Sequence, residues 1–129
     1  MARVIALDAG VLIAVLDASD VHHTAAVALL TENVDDELFI GPVTLAEILV
    51  RAAQQGREGE LLADIEALDL HVVPLPDDAA LRLARLRASS GAKMPDCCVL
   101  LTAEQTGSRL ASFDERLRAA AAHRGITLV

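Results

Sequence analysis

Val4-Ile5-Ala6-Leu7-Asp8-Ala9-Gly10 is the stretch on which the fold turns. With Arg3 ahead of it, it makes a short apolar run from Arg3 to Leu7 with no polar alternation. That is the pattern of a strand covered on both faces, and such strands belong to parallel sheets sandwiched between helices. The run ends at Asp8, a carboxylate at the carboxyl end of the strand. Met1-Ala2-Arg3 ahead of it imitates the start of a signal peptide, but Asp8 falls inside the would-be apolar region, so the segment reads as a buried first strand.

The chain beyond alternates in the same way. Residues 11–16 read as a short helix or turn, and Asp20 is placed to cap a helix through about Leu30, with Ala25, Ala26, Leu29 and Leu30 at core-facing spacing. Leu38-Phe39-Ile40 predicts a second strand stopped by Gly41-Pro42, and Pro42 suits the first turn of a helix reaching about Gln55. A helix from about Glu58 to Leu68 precedes a third strand, His71-Val72-Val73-Pro74-Leu75. Asp77-Asp78 opens a helix ended by Gly91, with Asp78 and Arg82 spaced to pair at i, i+4. Pro95-Asp96 starts another, through about Gln105. Leu110-Ala111-Ser112 is a fourth strand, Asp114 opens the last helix, and Ile126-Thr127-Leu128 is a fifth strand. Over 129 residues this predicts a single α/β domain around a mainly parallel five-stranded sheet.

Composition narrows the function. The longest uncharged apolar stretch near the start, Ala9 to Leu16, is well short of the roughly 20 residues of a membrane span, so no membrane role is expected. Cys97 and Cys98 are adjacent, whereas a disulfide framework needs partners apart in sequence; the chain is expected to be reduced and cytoplasmic. Aromatic residues make up 2%, with no Trp or Tyr, which excludes a module that stacks RNA bases on exposed rings. With 19 acids against 11 bases and a net charge of −8, a basic nucleic-acid clamp is excluded as well. An acidic protein still acts on a polyanion where its acids hold metal ions, which invert the local charge.

Four acids invite that reading. Ligands of open parallel sheets bind beyond the carboxyl ends of the strands. Asp8 follows the first strand and Asp114 the fourth, Asp96 lies in the first turn of a helix, and Glu47 sits among Leu45, Ala46, Ile48 and Leu49. Taken singly, Asp8 is equally well explained as a helix cap, and Asp96 and Asp114 are better explained as caps than as ligands. Converging at one sheet edge, the four would raise each other's pKa unless a cation sat among them. Hard oxygen donors suit Mg²⁺ or Mn²⁺, and no Cys/His spacing suits zinc. Two such ions about 4 Å apart activate water and stabilise both oxygens of a displaced phosphodiester, so a metal-dependent nuclease is the expectation from chemistry.

The order and spacing of Val4-Ile5-Ala6-Leu7-Asp8-Ala9-Gly10-Val11-Leu12-Ile13, Asp20-Val21-His22-His23, Pro42-Val43-Thr44-Leu45-Ala46-Glu47-Ile48-Leu49, Pro95-Asp96 and Ser112-Phe113-Asp114 resemble the PIN-domain ribonucleases. The likeness is to the VapC-type toxins of bacterial toxin–antitoxin pairs in particular, over essentially the whole length. The resemblance implies a single three-layer α/β/α PIN domain over residues 1–129. It implies that Asp8, Glu47, Asp96 and Asp114 bind one or two Mg²⁺ or Mn²⁺ ions, and that Ser112 supplies a hydroxyl that helps order metal-bound water. The implied activity is endoribonuclease cleavage, of a tRNA or ribosomal RNA loop for example, leaving 5′-phosphate and 3′-hydroxyl ends and inhibiting translation. A cognate antitoxin that blocks the acidic pocket and a homodimer are also implied. Gly10 stands where the family often has Asn or Ser, and Ser112 where Thr is common; no carboxylate is lost.

Other readings compete. An aspartyl-phosphate phosphatase needs a second Asp at position 10, and a receiver domain needs its acid pair after the first strand rather than at Asp77-Asp78. A non-catalytic binding module on the PIN scaffold predicts metal or partner binding without turnover. His22 and His23, as helical neighbours, point about 100° apart and chelate one ion poorly. Thr44, one turn before Glu47, is placed either to orient it or to cap. Cys97 and Cys98 read as small buried hydrophobes. Arg82, Arg85 and Arg87 read as a solvated face salt-bridged to nearby acids, or as contacts to RNA phosphates.

Overall fold

Val4–Leu7 forms β1, with Ile5, Ala6 and Leu7 removed from solvent, as expected for a strand covered on both faces. The computed structural model describes residues 3–129; Met1 and Ala2, the head of the signal-like segment, lie outside them. After β1 come α1 (Ala9–Leu16), α2 (His23–Glu32), β2 (Glu37–Ile40), α3 (Pro42–Gln54), α4 (Glu58–Glu66) and β3 (Leu70–Val72). The second half comprises α5 (Ala79–Ser90), α6 (Met94–Thr106), β4 (Arg109–Ala111) and α7 (Glu115–His123).

The strands pair in parallel in the order β3-β2-β1-β4. Alternation along β1 sorts the core. Ile5 and Leu7 join Val11, Ala14, Ala26 and Ala111 on the α1–α2 side, while Ala6 and Leu110 join α5, α6 and α7 on the other. Leu12, Ile40, Ile48 and Ile65 extend the first layer through α3 and α4. The chain is thus an α/β domain of three layers. Cys97 to Ala103 of α6 are buried without a break, the mark of an internal helix; truncating Leu100 or Leu101 to Ala there costs about 2–5 kcal/mol.

Several expectations change. The fifth strand reduces to one parallel bridge, Leu110 to Leu128. Arg109 and Ala111 face β1, leaving Leu110 alone to bond outward: its N–H donates to Thr127 O at 2.9 Å and its carbonyl accepts from Val129 N at 3.0 Å. Helix α2 starts at His23 rather than at Asp20, because the Asp20 carboxylate accepts from the His22 amide at 2.8 Å and closes a turn there. No Asp78–Arg82 ion pair forms among the described residues, nor do Arg82, Arg85 or Arg87 pair with acids; Arg87 instead donates to the carbonyls of Gly91 and Ala92.

Candidate active site

Successive crossovers carry the chain from β1 to β2 to β3 in one direction, and β4 lies on the other flank of β1. The crevice at the carboxyl ends of β1 and β4 is therefore the switch point of the sheet, where such folds bind ligands. Asp8 follows β1 and Ser112 follows β4. Their side chains meet: the Ser112 hydroxyl donates to Asp8 Oδ2 at 2.8 Å and accepts from the Asp114 amide at 3.0 Å. Asp8 N donates to Ala111 O at 3.1 Å, tying the two strand ends together.

Asp114 has a second function. Its Oδ1 accepts from the amides of Arg116 and Leu117 at 2.9 and 3.1 Å, which caps α7. Arg118, one turn further on, donates from Nη1 to Ser112 O at 3.1 Å. Phe113, between Ser112 and Asp114, packs into the core on the α1–α2 side and stacks on His22, with centroids 4.5 Å apart and planes 13° from parallel. His23 Nδ1 lies 2.7 Å from Ala14 O. Neither histidine stands among the acids.

Glu47 and Asp96 arrive from the helices. Asp96 occupies the first turn of α6, and Glu47 is exposed on α3, between buried Thr44 and Ile48. The start of α3 is set against α6 at Gly41, where a Cβ would come within 2.7 Å of Thr102 Oγ1. Thr44 does not orient Glu47: it is 1% exposed and its hydroxyl has no hydrogen-bond partner.

Electrostatics ties the four acids together. Burial raises the Asp8 carboxyl above the ordinary Asp value, and the Asp114 charge adds to this. The Ser112 hydrogen bond opposes the shift, as do the amides of Ala9 and Gly10, although no capping bond of good geometry forms to them. Glu47 is raised by burial and then by Asp8 and Asp96. Asp96 is raised by burial and then by Asp8 and Asp114, with Lys93 pulling the other way. Asp8 thus feels or influences each of the other three. Among the described residues none of the four has a salt-bridge partner. Unpaired carboxylates that destabilise one another's charge are a donor set that fits a hard divalent cation. Among the described residues no three acids, histidines or cysteines close on a point as a ready-made cage. Mg²⁺ tolerates this, because it keeps several waters and takes one or two carboxylates.

The profile of the PIN domain family matches residues 5–123, and the chain belongs to that family. Among solved structures the fold is similar to that of VapBC2 from Rickettsia felis, bound to a promoter DNA fragment, with a TM-score of 0.72 and 13% identity over 98% of each chain. VapC20 of Mycobacterium tuberculosis, described as a sarcin–ricin-loop-cleaving toxin, gives 0.73 and 16%, covering 90% of this chain and 94% of that one. FitAcB from Neisseria gonorrhoeae gives 0.73 and 19%, covering 96% and 95%. At these identities the likeness is one of fold. Comparison with curated proteins gives no match. No helix of the described residues is long and apolar enough to cross a membrane.

Proposed function

We propose that the protein is a metal-dependent endoribonuclease and the toxin of a toxin–antitoxin pair. The observation that carries this reading is the set of four unpaired carboxylates, Asp8, Glu47, Asp96 and Asp114, electrostatically coupled at the switch point of a PIN-family sheet. These four would hold one or two Mg²⁺ or Mn²⁺ ions. Such ions supply Lewis-acid stabilisation and water of lowered pKa for hydrolysis of an RNA phosphodiester. The chain's own residues do the rest. Ser112 holds Asp8 by one carboxylate oxygen and leaves the other free, and Asp114 is held by its bonds to the amides of α7. Glu47 is presented at the surface of α3.

The product ends would be 5′-phosphate and 3′-hydroxyl, and a tRNA or ribosomal RNA loop is the substrate in this reading, with loss of translation as the consequence. A structural neighbour described as a toxin–antitoxin complex from Klebsiella pneumoniae supports a partner antitoxin; a homodimer belongs to the same reading. The test is cleavage of total RNA by antitoxin-free protein with Mg²⁺ or Mn²⁺ and with chelator, beside identically purified Asp96→Asn. Discrete metal-dependent fragments missing from the variant support the nuclease. Equal cutting by both indicates a contaminant, and metal binding without cutting indicates a non-catalytic module; either overturns it.

A further inference from the structure

An open groove of about 1320 Å³ runs from Asp96 and Asp114 along α7, between that helix and the turn joining α5 to α6. Its wall carries Lys93, Arg116, His123 and Arg124. Arg124 is engaged, paired with Glu104 and donating to Ser89 Oγ. Lys93 and Arg116 are different. Both are exposed, and among the described residues neither side chain has a hydrogen-bond or ion-pair partner. Lys93 precedes Asp96 by three residues at the head of α6, and Arg116 follows Asp114 by two in the first turn of α7. Of the three acids lining the groove, Asp96, Asp114 and Glu115, the first two thus each have an uncommitted cation within three residues along the chain.

Exposed cations that line the groove beside these acids without bonding to any of them are available to something negative that enters it. In a chain of net charge −8, the sole lysine and one of ten arginines stand at the mouth of the acidic crevice. From Arg116 to His123 the groove follows α7 for about 10 Å, enough for more than one phosphate of an extended strand. We propose that this groove is the track for single-stranded RNA leaving the scissile position, with Lys93 and Arg116 contacting the phosphates on either side of the one that is cleaved. This rests on the nuclease reading for the word scissile. It relocates the RNA contacts from Arg82 and Arg85, the dense basic run of α5, to two cations that are isolated in sequence.

The experiment measures binding of a fluorescein-labelled single-stranded RNA oligonucleotide of mixed sequence by anisotropy, in the Asp8→Asn background so that the probe stays intact. Lys93→Ala with Arg116→Ala should weaken binding about tenfold. The slope of log affinity against log salt should flatten by about 1.4, since each phosphate contact on a single strand contributes about 0.7. Lys93→Arg with Arg116→Lys should restore both readouts, and Arg82→Ala with Arg85→Ala should change neither. Unaltered affinity and slope in the groove variant, or loss in the α5 variant instead, overturns the proposal. Should the groove variant bind RNA normally yet lose a co-expressed antitoxin, the groove is a protein-docking surface and the proposal also falls. Cleavage by the unmutated chain is scored separately: no cutting with groove-dependent binding removes the nuclease and keeps the track, and cutting without groove dependence does the reverse.

Discussion

Ser112 and Asp8, 104 residues apart in sequence, share a hydrogen bond of 2.8 Å in which the hydroxyl donates to one carboxylate oxygen. It joins the ends of the two strands that flank the crevice. It is also the strongest influence favouring the charged form of Asp8, against the burial that disfavours it.

Replacing Ser112 by Ala should therefore push the Asp8 carboxyl further up and move the acidic limb of the pH–rate profile to higher pH. Hydrogen bonds to charged groups contribute about 1.5–3 kcal/mol, so cleavage should fall at least about tenfold at neutral pH. Ser112→Thr, which keeps the hydroxyl, should retain most activity. A profile identical to that of the parent would show that the bond does not poise Asp8.

The acids make a signed statement about stability. Asp8, Glu47 and Asp96 titrate higher in the folded chain than in the unfolded one, where Asp stands near 3.8 and Glu near 4.5. The folded state binds more protons across that window, so these groups erode stability as pH rises through it and are fully unfavourable at neutral pH. Metal-free Asp8→Asn should melt above the parent at pH 7, and the gap should shrink toward pH 4. Mg²⁺ should raise the parent's Tm more at pH 7 than at pH 5. Circular dichroism of the melt reads all three, and a lower Tm for Asp8→Asn at pH 7 would refute the assignment.

Gly41 makes room where the start of α3 meets α6, with no space for a Cβ beside Thr102 Oγ1. Gly41→Ala should cost about 1–3 kcal/mol through overpacking. Thr102→Ala in the same chain should recover at least about 0.5 kcal/mol beyond additivity, even though it gives up the bond from Thr102 to Cys98 O. Denaturant melts of the four-member cycle test it; strict additivity would mean that α3 is set by other contacts.

Arg118 is placed to hold the Ser112 turn, since its Nη1 donates to the Ser112 carbonyl. Arg118→Gln should slow cleavage severalfold while leaving RNA affinity and its salt slope unchanged. A flattened slope would make Arg118 a phosphate contact instead.

The parallel architecture was legible because uninterrupted apolar runs such as Val4–Leu7 carry their burial in their composition and alternate with helical segments. Asp8 and Asp114 were singled out by the rule that such sheets work at their carboxyl ends, whereas Ser112 entered only through the family resemblance. The fifth strand misled because the apolarity of Ile126-Thr127-Leu128 says nothing of how many outward bonds a three-residue neighbour offers. Thr44 misled because helical spacing does not reveal which way a buried hydroxyl turns. Scarce aromatic content concealed the His22–Phe113 stack, where one ring belongs to a histidine. Lys93, Arg116 and Arg118 left no pattern at all, since a lone cation beside an acid has neither period nor run.

The bridge at Leu110 has a consequence for self-association. A sheet margin with free amides and carbonyls is a template onto which a foreign strand adds. At β4 the outward-facing peptide groups of Leu110 are already taken by Thr127 and Val129, so that margin offers no ladder. The opposite margin, β3, is three residues long and is followed by Pro74 and Pro76, which have no N–H to donate. Both rims are thus blunted, one by occupation and one by brevity, and the largely parallel core can remain apolar without recruiting neighbours edge to edge.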